Sequence, residues 1–176
     1  MAIIFDTSKS NKREYMQEKN NQSYQERMIE VFVNKPEETL WYQLAFSKFN
    51  VNGIDNMRWH WSWWAFFSGF LFLLYRKQYI PALLVFIASM TIGLIPIVGG
   101  LAVMIFTGGY ATYFIYKGYK KKLFEIEAVI EDEEKRIETM REIGGYNQWV
   151  VWVYALLVSL FFLSFLSAVF LPLMLH

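Results

Sequence analysis

The stretch RWHWSWWAFFSGFLFLLYRK, Arg58 to Lys77, decides the fold: it packs four of the chain's seven tryptophans into six residues and then runs apolar until an Arg-Lys pair stops it. Its length and its tryptophans separate two readings, a helix that crosses a membrane and one that lies in it. From Trp61 to Tyr75 the rise at ~1.5 Å per residue is roughly 22 Å, short of the ~30 Å hydrocarbon core of a bilayer. Tryptophan also favours the headgroup level, where its ring is apolar and its N–H stays wet. The spacing therefore predicts a short interfacial or re-entrant helix. Arg58, Trp59, Trp61, Trp63, Trp64, Arg76 and Lys77 are the residues expected at the lipid interface, where cations beside aromatic rings suit phospholipid headgroups.

Working outward, the 176 residues are 55% hydrophobic and 19% aromatic with only 19% charge, a membrane-protein composition. The charge is confined to blocks. Residues 1–58 hold eight basic and eight acidic residues, Arg76 and Lys77 add two, and residues 117–143 hold seven basic and eight acidic. Residues 78–116 and 144–176 carry none. The first uncharged block is long enough for two helices and divides at GLIPIVGG, where Gly93, Pro96, Gly99 and Gly100 supply turn chemistry. Spans are predicted over 79–95 and 98–116, and a final one over 149–171.

The aqueous parts are helical too. Residues 9–33 and 36–49 read as helices, the second with Asn34 as a cap, Pro36 in the first turn, Glu37 and Glu38 at the positive end and an apolar register through Leu40, Leu44 and Phe46. The NVNGIDN cluster reads as a loop. After Tyr116, Leu123, Ile126, Ile130, Ile137, Met140 and Ile143 recur at helical spacing among charges and end at Gly144 and Gly145. That stripe predicts a docking face, either a seam between chains or a face folded back on residues 36–49, and the helix has no breaker before it except Gly118. The expected fold class is all-α, a polytopic helical membrane protein. It has three full transmembrane helices plus the short aromatic helix, divided into a cytoplasmic N-terminal region (1–56), the aromatic helix and hairpin (57–116), a cytoplasmic amphipathic helix (117–146) and a C-terminal span (147–176).

Orientation follows from the lysines. A two-span hairpin returns to its starting side, so Arg76 and Lys77 share a side with Lys117, Lys120, Lys121 and Lys122, the cytoplasm by the positive-inside rule. If the aromatic helix does not cross, the N-terminus is cytoplasmic and His176 faces the other compartment. No cleavable signal peptide is visible in MAIIFDTSKSNKREY.

Several chemistries lack their residues. With no cysteine there is no disulfide, thiolate metal site or Cys nucleophile, and with net charge +1 no basic stripe points to nucleic acid. No ionisable residue lies within the predicted spans, which argues against a proton relay. Asp55 and His60 lack metal-ligand spacing and read as loop and interfacial residues. Neither catalytic residue, nor cofactor, nor metal is expected. Small residues four apart (Ala65 and Gly69, Gly108 and Thr112, Ser164 and Ala168) predict close helix packing. The hydroxyls of Thr91, Thr107, Thr112, Ser159, Ser164 and Ser167 are the alternative, the lining of a pore in an oligomer.

The order FVNKPEETLWYQLAFSKF, a loop, then WSWWAFFSGFLFLLYRKQY and an apolar hairpin resembles the uncharacterised bacterial inner-membrane family catalogued as domain of unknown function 2628. Trp61, Trp63, Ala65, Phe66, Phe67, Gly69, Tyr75, Arg76, Lys77 and Tyr79 match that family's pattern, with Trp64, Ser68, Phe70, Phe72 and Gln78 departing from it. Phe70 stands where the family has proline, so this chain is expected to continue the helix there. The resemblance covers residues 31–116 and implies a bacterial inner membrane but no activity. The expected function is a non-catalytic structural or accessory subunit contacting membrane lipids and other inner-membrane subunits or its own copies; the alternative is an oligomeric channel or transport-related protein.

Overall fold

A computed structural model describes residues 4–51, 53–92, 94–95 and 98–174. Two of the expected turn residues, Gly93 and Pro96, and the terminal His176 lie outside the described residues. Among those described the chain is of the all-α class, with eight helices making up 82% of it and one short hairpin besides. In order these are α1 (Ile4–Val33), α2 (Pro36–Phe49), a two-stranded hairpin of β1 (Asn50–Val51) and β2 (Ile54–Asp55), α3 (Trp63–Ser68), α4 (Phe70–Tyr75), α5 (Tyr79–Ile92), α6 (Val98–Val129), α7 (Glu133–Ile143) and α8 (Trp149–Met174). Helices α6 and α8 are long and apolar enough to cross a membrane, and α5 is a shorter apolar helix of 14 residues. The expected first span thus ends at Ile92 rather than Ile95, at roughly 21 Å of rise.

Four other expectations are corrected. Asn34 does not cap α2: its backbone takes φ 52°, turning the chain between helices, and Lys35 occupies the cap position without a side-chain bond. Leu40 and Leu44 are exposed, and α2 buries Thr39, Tyr42, Ala45, Phe46 and Phe49 instead. The amphipathic stretch runs continuously out of α6 through Gly118, as its lack of breakers implies, but stops at Val129 and restarts at Glu133. Asp132 drives the restart, its carboxylate accepting from the Lys135 amide at 3.0 Å, while Arg136 Nε donates back to the Ile130 carbonyl. Finally, the aromatic helix is two helices, broken at Gly69, whose φ of 55° and ψ of −127° no ordinary helix permits. Phe70 does not restore continuity, because the break belongs to the glycine before it.

The chain divides into two compact units, Met1–Ile54 with Tyr119–Gly145, and Asp55–Gly118 with Tyr146–His176, the boundary falling inside α6. In the first, α1 packs on both α2 and α7 around Met28, Tyr42, Phe49 and Met140, all essentially inaccessible. Phe32 and Phe46 meet the Tyr119 ring at 5.2 and 5.4 Å. Arg27 pairs with Glu133 and Glu134 at 3.5 and 3.1 Å on the surface, and the Gly145 amide donates to the Phe32 carbonyl at 2.8 Å. In the second unit α4 packs on α5, with Leu73 fully buried and the Phe70 and Phe86 rings 5.1 Å apart. From Val151 to Phe170, α8 buries no residue.

Candidate functional site

The segment that decides the fold is tied to α6 at both its ends and in its middle. Its start is fixed at Asp55, whose carboxylate accepts from the Tyr116 hydroxyl at 2.5 Å and from Lys117 Nζ at 3.4 Å. From there the chain runs without helix to Ser62. The His60 amide donates to the Gly109 carbonyl at 3.0 Å and the Ser62 amide to the Gly108 carbonyl at 2.8 Å. An extended backbone is therefore bonded to the side of a helix, which requires the helix to present little more than backbone there. A Cβ on Gly109 would lie 2.5 Å from the Trp59 ring, and one on Gly108 3.0 Å from Phe66 and 3.1 Å from the Trp61 ring. Ser62 then caps α3, its hydroxyl accepting from the Ala65 amide.

The return is equally fixed. Helix α4 ends at Tyr75, and the side chain of Gln78 lies where a Cβ on Gly118 would be, 2.0 Å away. The Leu74 carbonyl, which also accepts from the Lys77 amide at 3.1 Å, accepts from the Asn147 side chain, and the Tyr75 carbonyl accepts from the Asn147 amide, each at 2.8 Å. Asn147 sits two residues before α8, and the Tyr75 and Tyr146 rings meet at 5.1 Å. Thus the segment starts against Tyr116 and Lys117, touches Gly109 and Gly108, and ends against Gly118. Measured on α6, both ends lie within about a turn of each other and the middle about nine residues away, or ~14 Å along the axis.

The expected interface residues fall into two sets. Arg58, Trp59, Trp63 and Trp64 are exposed, Trp64 to 77%, and Trp61 and Lys77 are half-buried. Arg76 is not a surface cation: it is 3% exposed, with its guanidinium 5.4 Å from the Tyr75 ring centroid. The expected packing residues also separate. Ala65 and Thr112 are fully buried and Gly108 holds the tryptophan segment, whereas Gly69 makes a turn with open space beside it. Ser164 and Ala168 are exposed on α8. Of the expected docking stripe, Ile126, Ile137 and Met140 are buried, Leu123 and Ile130 half-buried and Ile143 exposed, so most of that face is covered by its own chain.

Asp55 is held by Tyr116 and Lys117, and His60 by Gly109 through its backbone. Among the described residues no group of three or more His, Cys, Asp or Glu could hold a metal ion. An apolar groove of about 590 Å³ runs between α5 and α6, from Pro81 and Phe114 at one end to Ile92 and Ala102 at the other. Its nine lining residues are all hydrocarbon or aromatic, so it can take apolar matter but offers no reactive group. Sequence reasoning missed Asn147, Gln78 and Gly109. Only Gly109 carried a signal, as the second of two adjacent glycines inside an apolar helix. Comparisons with protein-family models, with curated proteins and with solved structures return no match.

Proposed function

We propose that the protein is a non-catalytic accessory or structural subunit of a bacterial inner-membrane assembly, multi-pass and with a cytoplasmic N-terminus. The observation that carries this reading is α8: twenty consecutive residues, Val151 to Phe170, with none buried by the chain itself. An apolar helix of that length finds a stable environment only in lipid or against other apolar helices. The remaining support comes from the charge blocks, which place Arg76, Lys77, Lys117, Lys120, Lys121 and Lys122 on one side under the positive-inside rule. Helices α6 and α8 are read as spans on length, whereas α5, no longer than the tryptophan segment, is counted as the third on the charge blocks alone, since Lys77 and Lys117 share a side only if α5 and α6 both cross. The placement in a bacterial inner membrane, and membership of the resembling family, rest on the Trp61 to Tyr79 pattern.

The channel reading is the weaker of the two. Thr91, Thr107, Ser159 and Ser167 each donate to a carbonyl three or four residues back in their own helix, the usual way a hydroxyl is satisfied at a packing position. Solubilising the membrane in mild detergent, purifying the tagged chain and measuring the mass of the complex tests the proposal. Defined foreign subunits in fixed stoichiometry are expected; a closed ring of identical chains would sink the accessory reading in favour of the channel. Cytoplasm-only reporters fused at the N-terminus and within residues 133–143 are expected to be active together.

A further inference from the structure

We infer that residues 56–77 form a re-entrant hairpin, entering and leaving the bilayer on one side, with its tip at Ser62–Gly69 near half-depth and Trp63, Trp64 and Phe67 facing the acyl chains of that leaflet. This rests on reading α5, α6 and α8 as membrane spans. The carrying observation is the ladder of contacts on a single helix. Lys117 marks the water-facing end of the apolar part of α6, and Asp55 is bonded to it and to Tyr116. Ser62 and His60 are bonded to Gly108 and Gly109, about nine residues deeper, or ~14 Å against the ~15 Å that is half of a hydrocarbon core. Gln78 is back against Gly118. A crossing segment would have its ends at opposite ends of α6, and a helix lying at the headgroups would not reach Gly108.

Three further observations fit a segment immersed in hydrocarbon. There is no charged residue from Trp59 to Tyr75. In the non-helical stretch the His60 and Ser62 amides donate to α6, and the Ser62 hydroxyl accepts from the first turn of α3 at Ala65, so these donors are met by protein rather than water. At the tip the exposed side chains are Trp63 at 63%, Trp64 at 77% and Phe67 at 61%, large and apolar, while Ser62 and Ala65 are buried. The surface a lipid would meet is thus aromatic, with the indole N–H groups of Trp63 and Trp64 on it, and the Ser62 hydroxyl is turned inward onto the Ala65 amide.

The chain contains no cysteine, so single cysteines report cleanly. Ile54→Cys, Lys77→Cys and Leu94→Cys would each be treated with a membrane-impermeant maleimide in oriented vesicles. Ile54→Cys and Lys77→Cys are expected to label from the same face, and Leu94→Cys from the other. If Ile54→Cys and Lys77→Cys label from opposite faces, the segment crosses and the hairpin is wrong. If Leu94→Cys and Lys77→Cys label from the same face, the span reading beneath it fails instead. Spin labels placed singly from residue 57 to 77 then read depth by their accessibility to oxygen against a nickel chelate. The expected profile deepens towards Trp64→Cys and becomes shallow again at both ends; a profile that stays shallow throughout overturns re-entry in favour of an interfacial helix.

Discussion

The Ser62 amide donates to the Gly108 carbonyl at 2.8 Å, so an extended strand of tryptophans lies along the flank of an α-helix instead of joining a sheet. Such a seat exists only where two neighbouring helix residues have no side chains. Gly109→Val is expected to force the Trp59 ring aside and lower stability by about 1–3 kcal/mol, the usual cost of overpacking. Gly100 also lies in α6, but with open space where its Cβ would be, and Gly100→Ala should raise stability by about 0.5–1 kcal/mol through helix propensity alone. Thermal unfolding of the full chain in detergent reads both, and equal signs would contradict the seat.

Asn147 joins the end of α4 to the start of α8 by donating to the Leu74 and Tyr75 carbonyls. Asn147→Ala removes one donor to the Leu74 carbonyl, the Lys77 amide remaining, and is expected to cost about 0.5–1.5 kcal/mol. The sharper comparison is Asn147→Asp, nearly the same shape but an acceptor only, which should be at least as damaging. An aspartate variant as stable as the native chain would remove the side chain's share of the latch.

In the first unit Met140 is fully buried and Ile143, one turn on, is 37% exposed. Truncation should separate them: Met140→Ala by about 2–5 kcal/mol as a cavity-forming change, Ile143→Ala by less than about 1 kcal/mol. Thermal scanning of the full chain gives the comparison. A large loss at Ile143 would instead restore the docking role that its place in the stripe suggested.

Burial raises the Tyr24 hydroxyl above the ordinary tyrosine value. The neutral phenol is the form the fold favours, so its contribution is complete below about pH 10 and is lost as pH climbs through the raised folded-state value. Tyr24→Phe has no proton to lose. Its melting temperature should fall less than that of the native chain between about pH 9 and about pH 11, the difference isolating this residue from the lysines that titrate nearby.

The helices were legible in the sequence because their signals are local. Pro36 with Glu37 and Glu38 marks a helix start, and the change from YFIYK to charged residues marks the end of an apolar segment without breaking the helix. Both ends of the tryptophan segment meet one end of α6, through Asp55 on Tyr116 and Lys117 and through Gln78 on Gly118, a pairing that no local signal in the sequence carries. What was illegible was whatever depends on partners distant in sequence. Leu40 and Leu44 share the helical register expected of a core, yet Tyr42 and Phe49 are the residues buried, a choice made by the packing of α1. Arg76 reads as a cation at the lipid interface by its neighbours and is buried nonetheless. Gly69 reads as a packing glycine, and only its backbone angles reveal a turn.

The tryptophan segment is indexed on a single helix: Asp55 bonds to Tyr116 and Lys117, His60 and Ser62 to Gly109 and Gly108, and Gln78 lies against Gly118. Sliding or rotation of α6 would therefore carry the aromatic segment with it as one piece, and a movement of either one is a movement of both.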